Sequence, residues 1–78
     1  MRVVVDDAGD RWTVWELRPE AASRRWLSPA YAHGWLAFMR EDGARRRLVP
    51  VPEGWQSASR AELLALLEQA AEVWPGGG

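Results

Sequence analysis

Gly34-Trp-Leu-Ala-Phe-Met-Arg-Glu-Asp-Gly-Ala-Arg-Arg-Arg-Leu-Val-Pro-Val-Pro52 decides the fold of this 78-residue chain. It reads as a β-hairpin: an apolar arm, a Glu41-Asp42-Gly43 turn, and a return arm carrying Arg45, Arg46 and Arg47. Strand side chains alternate between faces, so Leu36 and Phe38 point one way and Trp35, Ala37 and Met39 the other. A three-residue turn with Gly43 in the left-handed conformation pairs Met39 with Arg45 and Leu36 with Leu48. A two-residue Asp-Gly turn would set Arg40 against Arg45, a like-charge pair that is disfavoured. The first register is the one expected. Pro50 and Pro52 end the return arm, because proline cannot donate to the ladder.

Working outward, Arg2 to Val5 is a short β-branched run, and Arg11 to Arg18 reads as a second strand. The cluster Asp6-Asp7-Ala8-Gly9-Asp10 turns the chain between them. In the second strand Trp12 and Val14 share one face while Trp15 and Leu17 share the other. Either a bulge switches faces or both faces are covered. Pro19 to His33 is a connection longer than usual for a compact domain, and such loops tend to be functional or disordered. Its Trp26, Leu27 and Tyr31 argue that it docks.

After Glu53-Gly54, Trp55 is expected to fold back as a plug. Ser59-Arg60-Ala61-Glu62 is a capping box that starts a helix. Leu63, Leu66, Leu67, Ala70 and Trp74 then recur at helical spacing as one apolar stripe. Glu68 and Glu72 fall in the C-terminal half of that helix, where its dipole disfavours negative charge. Pro75 stops it, and residues 75–78 read as a flexible tail.

Strands followed by one helix predict an α+β fold: a small antiparallel sheet of about four strands, built as two hairpins, with one C-terminal helix packed on one face. Residues 1–78 read as a single domain. One helix covers one sheet face, yet the central strands are apolar on both. The second face therefore needs the long loop, a second subunit or a partner to cover it.

The composition narrows the function classes. A chain this short buries only roughly 60% of its unfolded surface, so stability is marginal without help. The absence of cysteine removes disulfides, thiolate metal sites and a cysteine nucleophile, and fits a reducing compartment. Six tryptophans compensate with large apolar rings. The net charge of −1 gives no general pull toward nucleic acid or acidic membrane. Every basic residue is arginine, and Lys, Asn and Ile are absent, which points to a GC-rich genome rather than to selection for phosphate. No stretch has the length of a signal peptide or a membrane span, so a cytoplasmic location is expected. Charge is unevenly placed: residues 18–49 carry seven Arg against three acids, while both ends are acidic.

Several constellations invite a chemical reading. Arg24, Arg25, Arg45, Arg46 and Arg47, with the rings of Trp26, Tyr31 and Trp35, offer phosphate neutralisation and base stacking. The competing reading lays arginine stems over tryptophan faces, or pairs them with Glu62, Glu68 and Glu72 of the helix or of a partner. Alternation also sets Arg46 on the face opposite Arg45 and Arg47, so the triplet is not one patch. Asp6, Asp7 and Asp10 lack the spacing of a cation-binding loop and read as a plain turn. His33 is the only histidine, with no companion ligands. Ser28, Ser57 and Ser59 lack a nucleophile-elbow context. No glycine-rich phosphate loop of recognised spacing is present. An acid–base pair of Glu16 or Glu20 with His33 is conceivable, but nothing singles it out. The chain is not expected to be an enzyme, to bind a metal or to need a cofactor.

Gly9-x-x-Trp12-x-Val14-Trp15-Glu16, Gly34-Trp-Leu-x-Phe38 and Arg46-Arg47-Leu48-x-Pro50-x-Pro52-x-x-Trp55 together resemble short uncharacterised bacterial proteins from GC-rich genomes that end in a Ser/Leu-rich helix. The likeness spans most of the chain except the 19–33 loop. It implies a bacterial single-domain protein and carries no activity.

The expected function is a small non-catalytic protein-interaction module, acting as a homodimer or as an adaptor for another protein. Its contact surface is expected from Arg24, Arg25, Trp26, Tyr31, Trp35, Met39, Arg45 and Arg47, since Trp, Tyr and Arg dominate interface hot spots. In a self-association version, the basic middle of one copy meets the acidic helix of another. The alternative is a small nucleic-acid-binding regulator using the same arginines with Trp26. No membrane partner is expected.

Overall fold

The structure, a computed structural model, describes residues 1–20 and 29–73. Five strands form one antiparallel sheet in the order β1-β2-β3-β4-β5: β1 (Arg2–Val5), β2 (Arg11–Leu17), β3 (Trp35–Arg40), β4 (Arg45–Leu48) and β5 (Ala71–Val73). Helix α1 (Arg60–Gln69) lies between β4 and β5 in the chain, and short 3-10 turns occupy Pro29–Tyr31 and Trp55–Ser57. Among the described residues, the α+β class and the one α-helix, towards the C-terminus, agree with the sequence reading. The strand count rises from four to five.

The central hairpin takes the expected register, with Leu36 opposite Leu48 and Met39 opposite Arg45. Gly43 adopts φ 93°, and the turn closes through Arg40 N–H to the Ala44 carbonyl at 2.8 Å. Asp42 completes it by accepting from the Arg40 guanidinium and from the Ala44 N–H. In the first hairpin the Asp6 carboxylate accepts from Ala8 N–H, Asp10 N–H and the indole of Trp12. All three bonds serve the turn, as its Asp/Gly composition predicts.

Strand β2 pairs without a bulge, Trp12 opposite Arg40 through Leu17 opposite Trp35. Its two apolar faces therefore belong to the two sides of the sheet. Val4, Trp12, Val14, Leu36 and Phe38 face α1 and form the core with Leu63, Leu67 and Trp55. Trp55 is buried as the expected plug, and its indole N–H donates to Glu16 Oε1 at 3.0 Å.

The helix begins at the predicted capping box: Ser59 accepts from Glu62 N–H, and the Glu62 side chain accepts from Ser59 N–H. It ends sooner than its apolar stripe suggests. Ala70 leaves the helix with ψ 141°, and Ala71–Val73 pairs with β4, Arg46 opposite Glu72. A helix continued past Ala70 would leave this edge of β4 without backbone partners. Glu72 is thus a strand residue, outside any helix dipole, and Trp74 lies outside the described residues.

Candidate functional site

The side of the sheet turned away from α1 carries Val3 and Val5 from β1, Arg11, Thr13, Trp15 and Leu17 from β2, and Trp35, Ala37 and Met39 from β3. Arg45 and Arg47 follow from β4. Helix α1 is committed to the opposite side and does not cover this surface. Val3 is 51% exposed, Val5 41% and Leu17 37%. Trp15, Trp35 and Met39 are half-buried.

Its centre is concave for a simple reason. Ala37 is the smallest strand side chain there, with Trp15 opposite it on β2 and Arg47 opposite it on β4. Trp35 and Met39 are its same-face neighbours two residues away along β3. The taller side chains ring it and leave a hollow of about 270 Å³.

Tyr31, placed by the 3-10 turn, meets Trp35 edge to face with ring centroids 5.6 Å apart. The Arg47 guanidinium lies over both rings, 5.7 Å from Tyr31 and 5.3 Å from Trp35. Arg45 is exposed at the next position of the same face. Among the described residues, neither Arg45 nor Arg47 has a carboxylate within salt-bridge reach. Every Asp and Glu of the chain lies within the described residues. The strand positions of this face carry no acid at all.

Arg46 projects to the other side, as alternation predicts. Its guanidinium lies 5.3 Å over Trp12 and donates to the Leu67 carbonyl at 2.9 Å. Arg40 approaches the same indole at 5.4 Å. The arginine-over-tryptophan reading thus describes Arg46 and Arg47. The proposed pairing with Glu62, Glu68 and Glu72 does not occur among the described residues.

The chain matches no protein-family model, no curated protein and no solved structure. Its own geometry has to carry the functional argument.

The candidate interaction residues divide accordingly. Tyr31, Trp35, Met39, Arg45 and Arg47 gather on the second face, while Arg24, Arg25 and Trp26 lie outside the described residues. The residues around the hollow that the sequence did not single out are Trp15, Leu17 and Ala37. Their signal was present in the β2 alternation, which needed only the absence of a bulge to become legible.

Other concavities offer less chemistry. One of about 580 Å³ is bordered by Trp12, Arg40, Asp42, Arg45, Arg46 and Glu72. Arg40 is already bonded to Asp42, and Arg46 to Leu67. Among the described residues no three His, Asp or Glu side chains gather as a metal site. No described helix is long and apolar enough to cross a membrane. Glu16 does not pair with His33. Bonds from Arg18 first, then Trp55, hold its carboxyl below the usual range. Asp6 is likewise held low, first by the Trp12 indole and then by the Asp10 and Ala8 amides and the nearby Arg40.

Proposed function

We propose that the chain is a small non-catalytic protein-interaction module, cytoplasmic, that presents the second face of its sheet to a protein partner. The observation that carries this reading is exposed Leu17 beside Trp15, Trp35 and Met39 around the hollow, with exposed Val3 and Val5 farther along the same face beyond Thr13 and Arg11. Such a surface is costly to leave against water, and rings and arginines around a hollow are the parts from which interface hot spots are made. The hollow is smaller than the roughly 300–1,000 Å³ typical of small-molecule sites. It suits one side chain of a partner better than a free ligand.

A nucleic-acid role is the alternative, resting on the arginines and rings. Stacking platforms need open ring faces, and Arg47 covers a face of both Tyr31 and Trp35. That observation favours the protein reading.

The test is selection from a random-peptide display library on the immobilised chain, counter-screened against Leu17→Asp. Peptides that bind the wild-type chain and lose the Leu17→Asp variant support the reading. So does a dimer mass by light scattering that the same substitution reduces to monomer. Peptides indifferent to Leu17, from a chain that is monomeric, sink it.

A further inference from the structure

We infer that the occupant of the second face is an acidic and apolar segment of another protein. Its carboxylates would meet Arg45 and Arg47, and one large apolar side chain would enter the hollow over Ala37. This rests on the module reading above and adds the chemistry of the partner.

The argument is one of charge. Arg45 and Arg47 stand two residues apart on β4, which sets their side chains on one face roughly 6–7 Å apart. Both lack a carboxylate partner among the described residues, and the strand positions of their face contain none. Residues outside the described range add no acidic side chain. Residues 21–28 hold Arg24 and Arg25 without an acid, and residues 74–78 hold no charged side chain. Desolvating two unpaired guanidinium groups against an uncharged surface is unfavourable. An occupant that buries the apolar face must therefore bring negative charge.

A second copy fits poorly. Face-to-face pairing offers Arg45 and Arg47 no carboxylate from a strand position, because the strand positions of that face carry none. The outer side of α1 offers exposed Glu62 and Glu68, but its exposed apolar positions are Ala61 and Ala65. Neither is large enough to fill the hollow. That contact is also head-to-tail, which extends into chains rather than closing as a dimer.

The test uses peptides enriched in the same selection, synthesised with their acids intact and with each acid replaced by Lys. Binding is followed by tryptophan fluorescence. Arg45→Glu is the variant of choice, because Arg45 is exposed and its side chain makes no described hydrogen bond. The expected result is enrichment of peptides pairing two carboxylates with a large apolar residue. Their binding should fall roughly tenfold or more in Arg45→Glu, and the Lys peptide should prefer that variant. If binding depends on Leu17 but shows neither an acidic bias nor sensitivity to Arg45→Glu, the inference falls and the module reading stands. If no peptide depends on Leu17 and the chain is monomeric, both fall. A single-stranded oligonucleotide that displaces the peptide and is released by salt would assign the arginines to phosphate and overturn the inference. A dimer mass lost in Leu17→Asp would assign the face to a second copy, with the same consequence.

Discussion

Arg46 of the sheet donates to the carbonyl of Leu67, in the last turn of α1, at 2.9 Å. The helix has no basic residue of its own in that turn. A cation from the sheet therefore serves the negative end of the helix dipole and adds a second donor to a terminal carbonyl that also accepts from Ala70 N–H. The same guanidinium covers Trp12, so one side chain ties the helix to the largest buried ring of the core.

Arg46→Ala should accordingly lower stability by about 1–3 kcal/mol. Arg45→Ala, exposed on the opposite face, should stay within about 0.5 kcal/mol of the wild type. Urea denaturation of the two variants checks the contrast. Equal effects would mean that the arginines act as one surface patch after all.

A second contrast lies among the glycines. Gly34 has φ 99°, and a Cβ there would come within 2.6 Å of the Leu17 carbonyl oxygen, whereas one at Gly43 would meet nothing within 4 Å. Both positions strain an L-residue by roughly 1–2 kcal/mol, but only Gly34→Ala also forces β2 and β3 apart. Gly34→Ala should thus be clearly the less stable of the two in thermal or urea unfolding. Matching losses would show that the backbone moves aside at no cost.

The hairpin register was legible because two physical conditions agreed on it, the left-handed preference of Gly43 and the repulsion of Arg40 by Arg45. The start of α1 was legible because its capping box is a local pattern. The end of α1 was not. Ala70 to Trp74 continues a helical stripe in sequence, and no glycine or asparagine marks a stop. What ends the helix is non-local: the vacant edge of β4 takes Ala71–Val73 as a fifth strand. The pairing of Arg46 with a helix carbonyl was hidden for the same reason, since no spacing rule links residues 46 and 67. On the second face, Trp35, Met39, Arg45 and Arg47 could be read from alternation alone. The role of Ala37 could not, because a hollow is defined by its neighbours.

The turn carboxylates predict an acid-sensitive fold. Asp42 is held down to about 2 from an ordinary 3.8, first by its bond from Arg40 and then by the Ala44 amide. Asp6 and Glu16 are lowered too, Asp6 chiefly by the Trp12 indole and Glu16 chiefly by Arg18. Because the native values lie below the unfolded ones, the unfolded chain takes up protons first as pH falls. The stabilisation is complete above the ordinary carboxylate range and drains away between about pH 4 and pH 2. The urea midpoint should fall through that window, with a shallower fall in Asp42→Asn. An unchanged slope in the variant would remove Asp42 from the account.

Ala37 supplies the sharpest separation of fold from function. It sits on the face away from α1, and only 7% of its surface is exposed, because Trp15, Trp35, Met39 and Arg47 stand around it. Ala37→Leu would extend into the hollow of about 270 Å³ and leave Val14, Leu36 and Phe38 untouched beneath the helix. Because the added carbons enter empty space, the overpacking penalty of roughly 1–3 kcal/mol seen in tight cores should largely be avoided. Stability should stay close to that of the wild type, while binding of any partner that inserts a side chain there should drop by roughly tenfold or more. A stable Ala37→Leu variant that binds as well as the wild type would show that the hollow is not entered. The contact would then have to rest on the exposed rim of Val3, Val5 and Leu17.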